Sequence, residues 1–358
     1  PVASLAQHAY RMHLPAETAP QSGIMLCWPH AGTDWRDCLD AANASYIEIV
    51  RAITPHEIVL ITCHNRSHRD HNKLMLEQAG IDSHSVHFSI APSNDTWVRD
   101  FGPLGLTNDD ELRLLDFTFD GWGNKYASDL DNAVTRTLHA NGTFGDIELQ
   151  SHPMVLEGGS IDVNGEGTLL TTSRCLLNSS RNPGEDRHSL EQHFGKLFGI
   201  DRVLWLDHGE LEGDDTDGHI DMLARFCDAG TIAYSQCLDT RDSQYTGLSA
   251  MESQLQAFRD RDGQPYRLVA LPLPRPVYDA SGRRLPASYA NFLIINDAVL
   301  LPVYDDPADE IARERLATCF PERDIVPVNC LTLIHQYGSL HCATMQLPRG
   351  VLDTRHDR

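Results

Sequence analysis

Two kinds of stretch alternate along the chain. In one, apolar residues recur every three or four positions, the spacing of a single helical face. In the other, aliphatic and β-branched residues run together as a short strand. The first kind leads into the second five times: 36–53 into EIVLIT (57–62), 70–79 into VHFSI (86–90), 188–198 into RVLWL (202–206), 249–260 into RLVAL (267–271), and 307–319 into DIVPV (324–328). The connections are clusters of turn formers such as APSND, NGEG, RNPGED and DASGRR, and no Ser/Gly/Pro-rich linker divides the sequence. This pattern predicts an α/β fold. Five similar units raise repeated ββαβ blades around a common axis beside the alternative of an ordinary α/β sandwich. VNGEG predicts a hairpin turn.

Composition narrows the class. The chain has 358 residues, 41% of them hydrophobic, with 51 acidic against 29 basic side chains and a net charge of −22. It can bury a sizeable core, and disorder is excluded. Such acidity argues against nucleic-acid or anionic-membrane partners and favours a cationic substrate. The nine cysteines form no CxxC pair, which reads as reduced, cytoplasmic usage. PVASLAQHAYRMHLPAE at the start lacks a signal-peptide pattern. No apolar run approaches a membrane span.

Several stretches carry possible chemistry. HIDMLARF (219–226) reads as a strand, which would project His219 and Asp221 from one face. NDTWVRDFGPL (94–104) sets Trp97 near Asp100, a flat wall ending in a carboxylate that suits a planar cation; a structural Arg99–Asp100 ion pair is the alternative. LEGGS places Glu157 before a Gly pair that permits close backbone approach, and FDGWGNKY holds Trp122. HNRSHRDHN (64–72), with His64, His68 and His71, reads as a solvated loop, and no metal-ligand spacing is present. Cys342, in GSLHCATMQLP, is by local sequence as compatible with a buried filler as with a nucleophile. One Cys, one His and several distant carboxylates fit nucleophilic catalysis better than a metal scheme. Carboxylates around a thiolate suit a substrate that stays cationic, such as a guanidinium.

MLCWPHAGTDW, NDTWVRDFGPL, FDGWGNKY, LEGGSIDVNGEGTLLTTSRCLLNSSRNP, DDTDGHIDMLARF, LPASYANFLIIND, LLPVYDDP and GSLHCATMQLP together resemble the agmatine deiminases. These belong to the wider guanidino-group-modifying (pentein) superfamily, which includes bacterial peptidylarginine deiminases. The resemblance runs over nearly the whole chain and implies a five-bladed α/β propeller forming one catalytic domain over 1–358. It implies hydrolysis of agmatine to N-carbamoylputrescine and ammonia through a Cys-bound thiouronium, with peptidylarginine deimination as the alternative. Carried over residue by residue, the nucleophile is Cys342, the acid–base group His219, and the guanidinium-holding carboxylates Asp100 and Asp221. Glu157 matches a family acid near the His and Asn291 a pocket-lining Asn, Trp97 and Trp122 are further substrate-binding candidates, and Asp215 joins Glu157 as a guess for the amine-binding acid. Met345 departs from the family's Gln after the catalytic Cys. No metal, nucleotide or redox cofactor is implied, and a homodimer is left open.

Overall fold

The computed structural model describes residues 11–108 and 110–352; most of the N-terminal segment read for a signal peptide lies outside them. Its strands form five small sheets, one of four strands and four of three. All are built alike. A central strand pairs antiparallel with one neighbour and parallel with the other, as Thr168–Thr172 does between Ile161–Val163 and Arg202–Leu206. The same arrangement recurs around Leu112–Thr118, Thr231–Gln236, Ala298–Val303 and Gln21–Cys27. Parallel neighbours require a crossover. Helices Leu39–Ile53, Asp131–Ala140, Arg187–Phe198, Tyr245–Ala257 and Ala308–Ala317 supply it. Each buries one apolar stripe, for example Tyr46, Ile49, Val50 and Ile53. In the first sheet the two ends of the chain meet: Thr344–Pro348 pairs with Gln21–Cys27, Met345 opposite Met25.

All five expected helix-to-strand pairs are present, but they do not map one to a sheet. The first two share the four-stranded sheet, where Val86–Ile90 is the outer strand. The sheet of Leu104–Thr107, Leu112–Thr118 and Glu148–Val155 was not among the five. Its outer strand, ELQSHPMV, is largely exposed and contains a proline, so it shows no apolar run. The NGEG hairpin forms, with positive φ at Gly165 and Gly167.

Two local expectations fail. Residues 219–226 are not one strand: Ile220–Met222 is a 3-10 turn, and only Ala224–Phe226 pairs. Residues 64–72 are not a loop, because Arg66–Gln78 is helical and Asn65 caps it by accepting from His68 N–H. The His68 ring turns inward, its Nε2 lying 3.1 Å from the Pro29 carbonyl. Among the described residues no helix is long and apolar enough to cross a membrane.

Candidate active site

The short antiparallel strand of every sheet is entered through a segment that holds a predicted site residue. Asp100 precedes Leu104–Thr107, Glu157 precedes Ile161–Val163, and His219 and Asp221 precede Ala224–Phe226. Asn291 precedes Leu293–Ile294, and Cys342 precedes Thr344–Pro348. Five separate sheets therefore deliver one residue or pair each, and the deliveries converge. A Cβ built on Gly159 would lie 2.7 Å from His219 Nδ1, 2.9 Å from Asp100 Oδ1 and 3.0 Å from Asp221 Oδ2. Cys342 Sγ is 3.6 Å from Asp221 Oδ2 and 3.3 Å from the Asn291 side-chain amide nitrogen. Asn291 also accepts from His341 N–H at 2.8 Å and donates to the Asp221 carbonyl at 3.3 Å, tying the two segments together.

Hydrogen-bond capacity is left over at this point. Neither ring nitrogen of His219 makes a hydrogen bond, although Nδ1 is 3.6 Å from Asp100 Oδ1. Asp221 Oδ1 is buried without a partner. Buried polar groups are nearly always paired, so such a cluster marks a place where a ligand supplies the partners. Asp100 is held from two sides: Gly159 N–H donates to Oδ1 and the Trp122 indole N–H to Oδ2, both at 2.9 Å. Trp122 takes a left-handed backbone, φ 58° and ψ 49°, which a bulky residue adopts only under constraint. The Asp120 side chain, accepting from Gly123 N–H at 2.7 Å, fixes that turn.

The charges are arranged for a cation. Burial draws the His219 pKa down, but Asp100, Cys175 and Glu157 outweigh it and hold the ring well above its usual value, as imidazolium. Burial pushes Asp221 up, and His341, His219 and Arg225 bring it below the usual carboxylate range. Burial, helped by Asp221 and Glu157 and opposed by His219, lifts Asp100 to about 6. Burial, then Asp221 and Asp100, push the Cys342 thiol well above its ordinary value. An empty site of this kind keeps the thiol protonated. An incoming positive charge between the carboxylates reverses that preference.

Trp97, Asp100, Trp122, Asp215 and Cys342 line a narrow cavity of about 40 Å³, with Asp34, Asp95 and Asp214 also in its wall. His219, Asp221 and Asn291 are buried beside Cys342 and Asp100 rather than in the cavity wall. A larger open depression shares Asp34, Asp95, Trp122 and Tyr126 with it. Trp97 packs over Gly338, where a Cβ would come within 2.4 Å of the indole. Asp215 accepts from the Tyr126 hydroxyl at 2.7 Å. Two readings of the sequence need correcting. Arg99 pairs with Glu17, at 3.3 Å, and not with Asp100. Glu157 is not free to meet a substrate amine: Arg181 Nε donates to both its oxygens at 2.7 and 3.0 Å, with both side chains fully buried.

Glu157, Cys175 and His219 place ligand-type atoms within 4.8 Å of one another. The guanidinium of Arg181 already occupies the carboxylate, which disfavours a metal cation there. Sequence reasoning passed over Cys175, Arg181, His341 and Glu17. Adjacency to Cys342 was the available signal for His341; nothing local marks Glu17, more than three hundred residues away in sequence. Gly159→Ala is expected to lower kcat/KM by about tenfold, since its methyl intrudes among the three converging groups and small misplacements there are costly. Steady-state kinetics beside a melting curve checks this, and an unimpaired variant would show that the space about Gly159 is not where substrate sits.

Comparison with known proteins agrees with this geometry. An agmatine deiminase of Pseudomonas syringae pv. tomato is 33% identical over 94% of this chain and 95% of its own. A Cys-to-Ser variant of C. jejuni agmatine deiminase, solved with substrate bound, superposes with a TM-score of 0.88 at 38% identity, covering 95% of this chain and 97% of that one. A Porphyromonas gingivalis protein solved as a candidate arginine deiminase gives a TM-score of 0.89 at 44% identity, covering 96% and 100%. Residues 13–348 match the model of the Porphyromonas-type peptidyl-arginine deiminases, and the chain belongs to that family.

Proposed function

We propose that the protein is an agmatine deiminase, a hydrolase of guanidino C–N bonds that converts agmatine to N-carbamoylputrescine and ammonia. The observation that carries this reading is the convergence of His219, Asp100 and Asp221 about Gly159 beside the Cys342 thiol. Asp100 and Asp221 take the guanidinium N–H groups. The cation lowers the cost of the thiolate, the thiol proton is released to solvent as substrate binds, and Cys342 Sγ attacks the guanidinium carbon. The imidazolium of His219 protonates the departing nitrogen, which leaves as ammonia, and a thiouronium remains on sulfur. Neutral His219 then takes a proton from water as the oxygen adds to the same carbon. Cleavage of the C–S bond returns the thiolate and gives the ureido product. That a Cys-to-Ser variant of the C. jejuni enzyme holds substrate supports Cys342 as nucleophile.

The cavity favours agmatine over arginine or peptidyl-arginine. Its described lining holds Asp34, Asp95, Asp214 and Asp215 and no Arg or Lys, which suits a slender dication and offers nothing to a carboxylate. Ureido formation from agmatine, free arginine and a peptidyl-arginine, measured side by side, is expected to favour agmatine strongly. Preference for the peptide would overturn the assignment. We read the five sheets as blades of one α/β propeller forming a single catalytic domain. Their common topology supports this, as do the packing of Leu104–Thr107 on Thr344–Pro348 and of Ile161–Val163 on Ala224–Phe226. All nine cysteines are free thiols, in keeping with a reducing, cytoplasmic setting.

A further inference from the structure

The Asp221 oxygen nearest Cys342, Oδ2 at 3.6 Å from Sγ, has a second neighbour. Oδ1 is buried and unpartnered, while Oδ2 is 2.9 Å from His341 Nδ1. The other ring nitrogen of His341 is 2.8 Å from Glu17 Oε1. Glu17 also accepts from Arg225, and from the Gln346 amide at 2.8 Å, and lies 3.3 Å from Arg99. A neutral imidazole has one N–H and one lone pair. With a carboxylate against each nitrogen, a neutral ring would leave one contact repulsive.

The charged groups facing this ring pull in different directions. Burial, with Arg225 and Arg99, outweighs Glu17 and Asp221 and draws His341 below its ordinary value. Asp162, 3.5 Å from Arg225, stands behind that pair, and the Cys342 thiol lies on the far side of Asp221. Both Glu17 and Asp221 are held below the usual carboxylate range against their burial, Glu17 by Arg225 and His341, Asp221 by His341 and His219. The geometry argues the other way: with both carboxylates ionised, the contacts at 2.9 and 2.8 Å each need a proton from the ring, and only the imidazolium supplies two.

We infer that His341, anchored by Glu17, is a positioning residue that clamps Asp221 Oδ2 as an imidazolium and so fixes the carboxylate beside Cys342 and Gly159. The inference rests on the guanidino reading of the site. Asp221 can turn about its side-chain bonds; the clamp removes that freedom and keeps the carboxylate charged beside Asp100. It also links the catalytic Asp to the first sheet, where the chain ends meet.

Nitrogen NMR of labelled histidine rings in the whole enzyme reads the proton directly and needs no substrate. The His341 ring, assigned by its loss in His341→Gln, is expected to be doubly protonated at mildly alkaline pH and to become singly protonated in Glu17→Gln. In kinetics, His341→Gln is expected to lower kcat by about a hundredfold, the scale of a misplaced catalytic group. A second acid limb of kcat/KM, below that of Asp100, should move to higher pH as Asp221 loses its neighbouring cation. In combination with Asp221→Asn, His341→Gln should add little, since the two act as one unit. A neutral His341 ring in the wild type, or losses that multiply in the double variant, would overturn the clamp. If the wild type turns over none of the three guanidino substrates, the functional reading fails instead, and the ring spectra still decide the protonation of His341.

Discussion

Cys342→Ser is expected to abolish turnover, by on the order of a thousandfold or more, while leaving the melting temperature near that of the wild type. Serine differs from cysteine by one atom, and the site tolerates the change structurally: Sγ is held by the Asn291 amide and lies near the Asp221 carboxylate, contacts a hydroxyl can also make. Chemistry is where the exchange fails. The thiol of Cys342 is already pushed well above its ordinary value by burial and by Asp221 and Asp100. A hydroxyl starts far higher, and a bound cation cannot lower it enough to form an alkoxide. Binding is a separate matter, because the clamp residues are intact, so calorimetry should find agmatine bound to the serine variant. Mass spectrometry of acid-quenched wild type should show the thiouronium on Cys342 and on none of the other eight thiols. Appreciable turnover by the serine variant would end the covalent scheme.

The elements that were legible in the sequence are those whose burial is local. Helices such as Leu39–Ile53, and strands such as Ile58–Cys63, bury a regular apolar set and announce themselves by period. Glu148–Val155 does not, because one neighbour and an exposed face leave it polar. The four residues proposed for catalysis were read from motifs, and the structure brings them together. What geometry His219 and Asp221 use was not: alternation suggested a strand, whereas a 3-10 turn ahead of Ala224–Phe226 swings both side chains toward Gly159. Partners across the fold were least visible. Glu157 looked like a free acid until Arg181, twenty-four residues on, was found against it. Glu17 and His341 are tied by a sheet that joins the two ends of the chain. Charge pairing of this sort leaves no local periodicity to read.

Asp100→Asn and Asp221→Asn are each expected to lower kcat/KM by about a hundredfold, and to differ in their effect on stability. The catalytic loss has one cause in both. An amide of the same shape cannot neutralise a guanidinium in a dry site, and charge-assisted hydrogen bonds contribute roughly 1.5–3 kcal/mol each. Because the same contacts align the carbon with sulfur, kcat falls as well as KM rising. Stability separates the two residues through the sign of their shifts. Burial raises Asp100 to about 6, above its unfolded value, so the fold prefers the protonated form and ionised Asp100 is a burden above that pH. Removing the charge relieves that burden, but the new amide sets its NH2 against the Gly159 or Trp122 N–H and takes the counter-charge from His219, so the melting temperature should change little at neutral pH. Asp221 is lowered in the fold, so its ionised form stabilises, a contribution present above the unfolded value and lost as pH falls through the folded one. Asp221→Asn should lower the melting temperature and strand His341 without its partner. The pH profile gives a further check. Wild-type kcat/KM should fall as Asp100 takes a proton below about 6, and that limb should vanish in Asp100→Asn. An Asp100→Asn enzyme that melts earlier yet keeps wild-type kcat/KM would make this carboxylate a structural group and remove it from the clamp.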